Sequence, residues 1–221
     1  VVVHVVDELR AQYADLPEVL NFLDAVQRDM ILHVDDFRKP DESTNISGIP
    51  VVSHQTFSSY QVNVLVSNQD SSGAPLVCED NPTYSNLIGR VEHISQFGAL
   101  VTNFTLIKAG ALHRANGGYL LLDVRKILMQ PFAWDALKRA LQSREIRIES
   151  LGQMYSLIST VSLEPEPIPL EVKVVLFGDR LLYYLLQSYD PEFNELFKVA
   201  ADFEEVIDRN VEVQQLYAQL I

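Results

Sequence analysis

A pair of glycines, Gly117-Gly118, leads into four consecutive apolar residues, Tyr119 to Leu122, and then into Asp123; no other stretch limits the fold as strongly. An unbroken apolar run of this length between turn residues is the pattern of a strand in a parallel sheet with both faces covered. Such a strand delivers the carboxylate of Asp123 to its C-terminal edge, and in open α/β sheets ligands bind outside that edge. An acid there can hold the water shell of a Mg²⁺ carried by a nucleotide. Aspartate also caps helices and opens turns, so the run predicts the strand and leaves both roles of Asp123 open.

Length and composition set outer limits. With 221 residues, 48% of them hydrophobic, the chain can bury a substantial core as one domain, or as one domain with a helical appendage. It is expected to be soluble and globular. The net charge of −13 would repel nucleic acid phosphates unless a local basic patch overrode it, which counts against a nucleic-acid role. Cys78 is the single cysteine, so an internal disulfide and a cysteine metal cluster are both excluded. A reducing compartment suits it, with the cytoplasm as the expected location. No run approaches the roughly 20 apolar residues of a membrane helix, and no membrane role is expected. The chain starts at Val1 without methionine and stops at Ile221 inside an apparent helix, the expectation for a piece of a larger protein.

Taken in order, residues 1–40 read as helical. Val2, Val6, Leu9 and Tyr13 recur at helical spacing, as do Leu20, Leu23, Val26, Met30, Ile31 and Val34 beyond Pro17, which suits a packed hairpin or the end of a coiled coil. Residues 41–59 are rich in Pro, Ser, Asn and Gly and read as a linker or surface loop. A third region, 60–221, opens with Tyr60, Val62, Val64 and Val66 alternating as in a half-buried strand. The string Asn81-Pro82-Thr83-Tyr84 predicts a turn entering a helix, and residues 131–144 predict an amphipathic helix with Lys138, Arg139 and Arg144 outward or at its C-terminal end. Ile146 and Ile148 with Tyr155 to Val161 suit a hairpin, Glu164 to Pro169 an extended loop, and Val172 to Phe177 a second buried strand. Arg180 to Gln187 and Pro191 to Phe197 read as helices and Val199 to Phe203 as a strand.

Several of these strings occur together in one known group. The segment Gly110-Ala111-Leu112-His113-Arg114-Ala115-Asn116-Gly117-Gly118, continuing through Asp123, resembles the stretch before and through Walker B in AAA+ ATPases. With Asn81-Pro82-Thr83-Tyr84 through Glu92, Gln130 to Trp134, Leu137 to Leu141, Glu145 to Glu149 and Asp190-Pro191-Glu192-Phe193, the chain is similar over nearly its whole length to Lon-related ATP-dependent proteases of bacteria. The resemblance implies an α/β fold: a partial AAA+, P-loop NTPase-like parallel sheet flanked by helices, with an N-terminal helical segment ending a coiled-coil insertion. It also implies ATP and Mg²⁺, protein substrates, and a homo-oligomeric ring that unfolds those substrates for a serine protease domain with a Ser-Lys dyad.

Carried over to this chain, the resemblance gives Asp123 contact with Mg²⁺ through water. Phe97-Gly98 becomes the candidate pore loop, an aromatic beside a flexible glycine that can grip an extended polypeptide; a hairpin with Phe97 in the core is the plainer reading. Asp179 falls at the sensor 1 position, where Asn or Thr is usual, and equally suits an N-cap for the helix from Arg180. Lys198 stands where an arginine finger is common, without the bidentate fork of arginine. Val124 replaces the expected glutamate, and a hydrocarbon cannot accept a proton. No G-x-x-x-x-G-K-[ST], G-x-S-x-G or H-E-x-x-H occurs, so the phosphate loop and protease dyad are expected outside this chain and the piece alone is expected to be inactive. Two readings stay open: part of an ATPase motor, or a degenerate AAA+ scaffold that binds subunits and threads substrate without hydrolysis.

Overall fold

The computed structural model describes residues 2–35, 44–46, 49–51, 60–69, 71–96, 99–149, 163–203 and 209–220. The chain divides into two units, Val1–Val64 and Leu65–Ile221.

In the first unit, α1 (Val2–Gln12) and α2 (Pro17–Leu32) pack through the apolar stripes, burying Val6 and Leu23. Proline at the start of α2 loses no helical hydrogen bond there. Arg10 ties the pair by donating to Asp24 and Gln27 across the gap and to Asp7 on its own helix. β1 (Thr44–Ile46) and β2 (Ile49–Val51) form a short antiparallel ladder inside the stretch expected to be a linker.

The second unit is built on three parallel strands: β3 (Leu76–Glu79), β8 (Tyr119–Asp123) and β11 (Lys173–Phe177), in the order β11-β8-β3. Between β3 and β8 come α3 (Tyr84–Ile88), β4 (Arg90–Val91), β5 (Ile94–Gln96), β6 (Ala99–Val101), β7 (Ile107–Lys108) and α4 (Ala111–Arg114). β4 pairs with β7 and β5 with β6, both antiparallel. Between β8 and β11 come α5 (Val124–Leu128), α6 (Ala133–Ser143), β9 (Glu145–Ile146) and β10 (Ile168–Pro169); α7 (Arg180–Tyr189), α8 (Phe193–Leu196) and α9 (Val211–Leu220) follow β11.

One face of the sheet forms the core. Leu120 and Leu122 of β8 are fully buried there with Leu87, Leu112, Ile127 and Leu137 from α3, α4, α5 and α6, while Val77, Val174 and Leu176 pack against the cluster. The opposite face differs from the expectation of a strand covered on both sides. In-register rows place Cys78, Leu121 and Val175 together and Phe177 beside Asp123; Leu76, Cys78, Val175 and Phe177 are exposed. A run of apolar residues thus marks the middle strand without proving that its second face is covered.

Two expected strands do not form. Residues 61–64 and 197–203 have no regular structure, and Val199 and Phe203 are 90% and 85% exposed. Apolar alternation suits a pleated surface, but a strand also needs a neighbour to take its backbone hydrogen bonds, and none pairs with either segment among the described residues. The expected hairpin partner Tyr155 to Val161 lies outside the described residues; β9 pairs with β10.

Candidate functional site

The glycine-rich string before β8 aligns the N-terminal ends of the three parallel strands. Asn116 acts as a double clamp, its Nδ2 donating to the carbonyl of Pro169 at 2.9 Å and its Oδ1 accepting from the Glu171 amide at 2.8 Å. Gly117 has φ +81°, a left-handed conformation that favours glycine, and its amide donates to Glu171 O at 2.7 Å. At Gly118 an added Cβ would stand 2.0 Å from the carbonyl oxygen of Pro75. That close approach lets Tyr119 donate to Pro75 O and Lys173 donate to Gly118 O, at 2.8 and 2.9 Å. The string therefore sets strand register at the end of the sheet opposite Asp123.

Upstream in the same string, Gly110 abuts Leu87 O and Gly89 N, with 2.3 and 2.4 Å left for a Cβ. Its amide donates to Nδ1 of His113 at 3.2 Å. His113 is 6% exposed, and its Nε2 has no hydrogen-bond partner. Burial pushes its pKa down to about 4, so the imidazole is neutral near pH 7 and serves the core.

The chemistry-bearing groups gather at the C-terminal rim. Asp123 is the last residue of the central strand, half-buried, with Phe177 beside it on β11. Its Oδ1 caps α5 by accepting from the Lys126 amide at 3.1 Å. The Lys126 ammonium lies 3.3 Å from Asp80, just past the end of β3, and Arg114 donates to Glu79 at 2.7 Å. Helix capping and rim placement therefore coexist in one carboxylate. The N-P-T-Y string leaves the same rim: Thr83 caps α3 by accepting from the Asn86 amide, while Pro82 and Tyr84 are buried.

Asp179 sits at the N-cap position of α7, exposed, and its side chain makes no capping hydrogen bond. Val124 is 7% exposed and belongs to an apolar cluster with Leu186 and Phe193; a Cβ on Gly178 would touch it at 3.3 Å. The position after Asp123 is thus a core position, where a glutamate would face hydrocarbon. Lys198 is exposed beyond the end of α8. Phe97 and Gly98 fall between the paired residues Gln96 and Ala99 and lie outside the described residues.

α6 corrects a sequence expectation. It begins at Ala133 after Phe132 in the left-handed region, and Lys138 does not face outward. Its ammonium lies 3.0 Å from Asp190 and 2.7 Å from Glu192, and Asp190 also accepts from Trp134 Nε1 at 2.7 Å. Burial opposes the charge on both Lys138 and Asp190. The mutual hydrogen bonds outweigh it, raising the lysine pKa and, with the indole donor, lowering that of the aspartate. Bonds from Lys138 and Gln142 hold Glu192 below its ordinary range. Trp134 and Lys138 lie four residues apart on one helix face, which is the trace this cluster leaves in the sequence.

Mg²⁺ keeps several waters and takes one or two carboxylates together with phosphate oxygens. The rim carboxylate of Asp123, at the end of the central strand, fits an ion arriving with a nucleotide. A dedicated protein cage does not fit, since no group of three or more His, Cys, Asp or Glu able to hold a metal exists among the described residues.

A parallel sheet with helices on one face and acids along its C-terminal rim defines part of a P-loop NTPase-like α/β module. Residues 72–204, more than half of the chain, match the family described as LonB-like, AAA domain, and the chain belongs to that family. A Lon protease homolog of Escherichia coli (strain K12) is 29% identical over 115 residues, which are 52% of this chain. The chain spans 18% of the length of that relative. Among solved structures, NtrX from Brucella abortus matches 57% of this chain and 26% of its own at 20% identity, with a TM-score of 0.37. No helix among the described residues is long and apolar enough to cross a membrane.

Proposed function

We propose that this chain is part of the ATPase and unfoldase module of a Lon-like ATP-dependent serine protease, working in the cytoplasm as a homo-oligomeric ring on protein substrates. The observation that carries the reading is the position of Asp123 at the carboxyl end of the central parallel strand. With Oδ1 engaged at the helix cap, the second carboxylate oxygen is left for the water shell of Mg²⁺ on an ATP whose phosphates are cradled by a part of the protein outside this chain. The bound ion would offset the phosphate charge. Asp179, just past the end of the neighbouring strand, would contact the γ-phosphate or the attacking water, Lys198 would reach the nucleotide of an adjacent copy, and Phe97-Gly98 would grip the threaded polypeptide. Among the described residues, the exposed sheet face and the unpaired outer edge of β11 support a module completed by further α/β structure, since parallel sheets are ordinarily covered on both faces. Residues 1–40 would be the helical segment, 41–59 the linker, and 60–221 the α/β part.

A second reading is favoured by one observation, the burial of Val124 in the apolar cluster. Without a base there, the module would bind subunits and thread substrate without hydrolysing ATP.

Asparagine caps helices as well as aspartate does, so Asp123→Asn in the full-length protein separates the capping role from the ion-binding role. The expected result is loss of nucleotide-dependent proteolysis with cleavage of short unstructured peptides retained. Nucleotide-dependent proteolysis at the wild-type rate would overturn the role of Asp123.

A further inference from the structure

Lys198 stands in a segment without regular structure, yet the residue before it is firmly held. The Phe197 ring stacks on Trp134 at 5.9 Å and 17° and on Phe193 at 5.2 Å and 27°, and its amide donates to Phe193 O at 2.8 Å. Trp134 is fixed in turn by its 2.7 Å hydrogen bond to Asp190, which pairs with Lys138; Lys138 also holds Glu192, and Gln142 donates to Glu192 at 3.0 Å. Four residues beyond Lys198, Asp202 pairs with Arg180 at 2.9 Å, next to Asp179 at the rim. The segment carrying Lys198 is therefore tethered at both ends, by an aromatic stack rooted in α6 and by an ion pair at the start of α7.

We propose that Phe197 and Trp134 are positioning residues for Lys198, fixing where its ammonium stands toward a nucleotide held by a second copy of this chain. The inference rests on the reading of Lys198 as a cation acting between copies. An ammonium is a single point charge on a flexible stem, so its effect depends on where the backbone launches it. An aromatic anchor one residue away supplies what the irregular segment does not.

The test is ATP turnover by the full-length protein carrying Lys198→Met, Phe197→Leu or Phe197→Tyr, with thermal midpoints measured alongside. Arginine fingers contribute about 10³ to 10⁵ in kcat, and a lysine lacks their fork, so Lys198→Met is expected to lose on the order of 100-fold in kcat with the KM for ATP nearly unchanged. Since a displacement of 1 Å can cost about 10²-fold, Phe197→Leu is expected to lose on the order of tenfold or more. Phe197→Tyr keeps the stack and turns over ATP near the wild-type rate. Mixing Phe197→Leu with Asp123→Ala subunits restores turnover, because the latter present a well-placed Lys198 to the former's nucleotide; a defect confined to folding would not be rescued. Wild-type turnover by Phe197→Leu beside an inactive Lys198→Met overturns the positioning role alone. Failure of both the tyrosine variant and the mixture to restore turnover likewise assigns Phe197 to folding only. Wild-type turnover by Lys198→Met, or no turnover by the unmodified protein, removes the reading of Lys198 and this inference with it.

Discussion

Acid should destabilise this protein through His113 before it neutralises the carboxylates. In the folded chain the imidazole is 6% exposed, accepts from the Gly110 amide through Nδ1, and has a pKa of about 4 against an ordinary 6.5. In the unfolded chain it takes up a proton near pH 6.5, so between pH 6.5 and 4 the unfolded state binds more protons and stability falls as pH falls. The contribution is complete above about pH 6.5 and gone near pH 4. A separation of roughly 2.5 units corresponds to about 3 kcal/mol, or about 300-fold in the unfolding constant. Protonating Nδ1 also removes the acceptor that holds Gly110, whose backbone abuts Leu87 and Gly89, so the opening should begin between α3 and α4. Urea titrations at pH 7 and pH 4.5, followed by Trp134 fluorescence, measure the loss. The His113→Gln variant, which does not titrate in this window, should show a distinctly shallower pH dependence. Equal slopes for the two proteins would refute the assignment.

Three further outcomes follow from the packing. Gly118→Ala should lose about 3 kcal/mol, since its Cβ would collide with Pro75 O, whereas Gly117→Ala meets open space and should cost only the left-handed conformation, about 1 to 2 kcal/mol; denaturant midpoints separate the two. Leu122→Ala, at a fully buried position, should cost about 2 to 5 kcal/mol in the same assay. Lys138→Met leaves Asp190 and Glu192 without their shared cation and should lower the denaturant midpoint at pH 7. That deficit should shrink as the two acids protonate in acid.

The middle strand, its terminal Asp123, the helix after N-P-T-Y and the strand from residue 173 were legible because each is specified by adjacent residues: an apolar run, a capping threonine, a turn glycine. The misread parts depend on distant partners. Residues 61–64 carry strand-like alternation and Val199 to Phe203 an apolar strand-like composition, but neither can say whether a neighbouring strand exists to pair with. Lys138 looked solvent-facing because the carboxylates that bind it come from residues 190 and 192, some fifty positions on. The Asn116-Gly117-Gly118 string leads into the strand of Asp123 as its sequence implies; its contacts with Pro75, Pro169 and Glu171 at the far end of the sheet come from distant residues that the string does not show. At the rim, sequence located Asp123 at the end of one strand and Asp179 just past the next; that Val124 turns into the core became visible only with Leu186 and Phe193 packed around it.

The most direct measurement is the affinity of the full-length protein for ATP, with and without Mg²⁺, in wild-type and Asp123→Asn forms. The expected result is wild-type binding strengthened by the ion, with that strengthening lost in the variant and its unliganded thermal midpoint unchanged. Identical Mg²⁺ dependence in both forms would leave Asp123 as a helix cap and contradict the proposed nucleotide site.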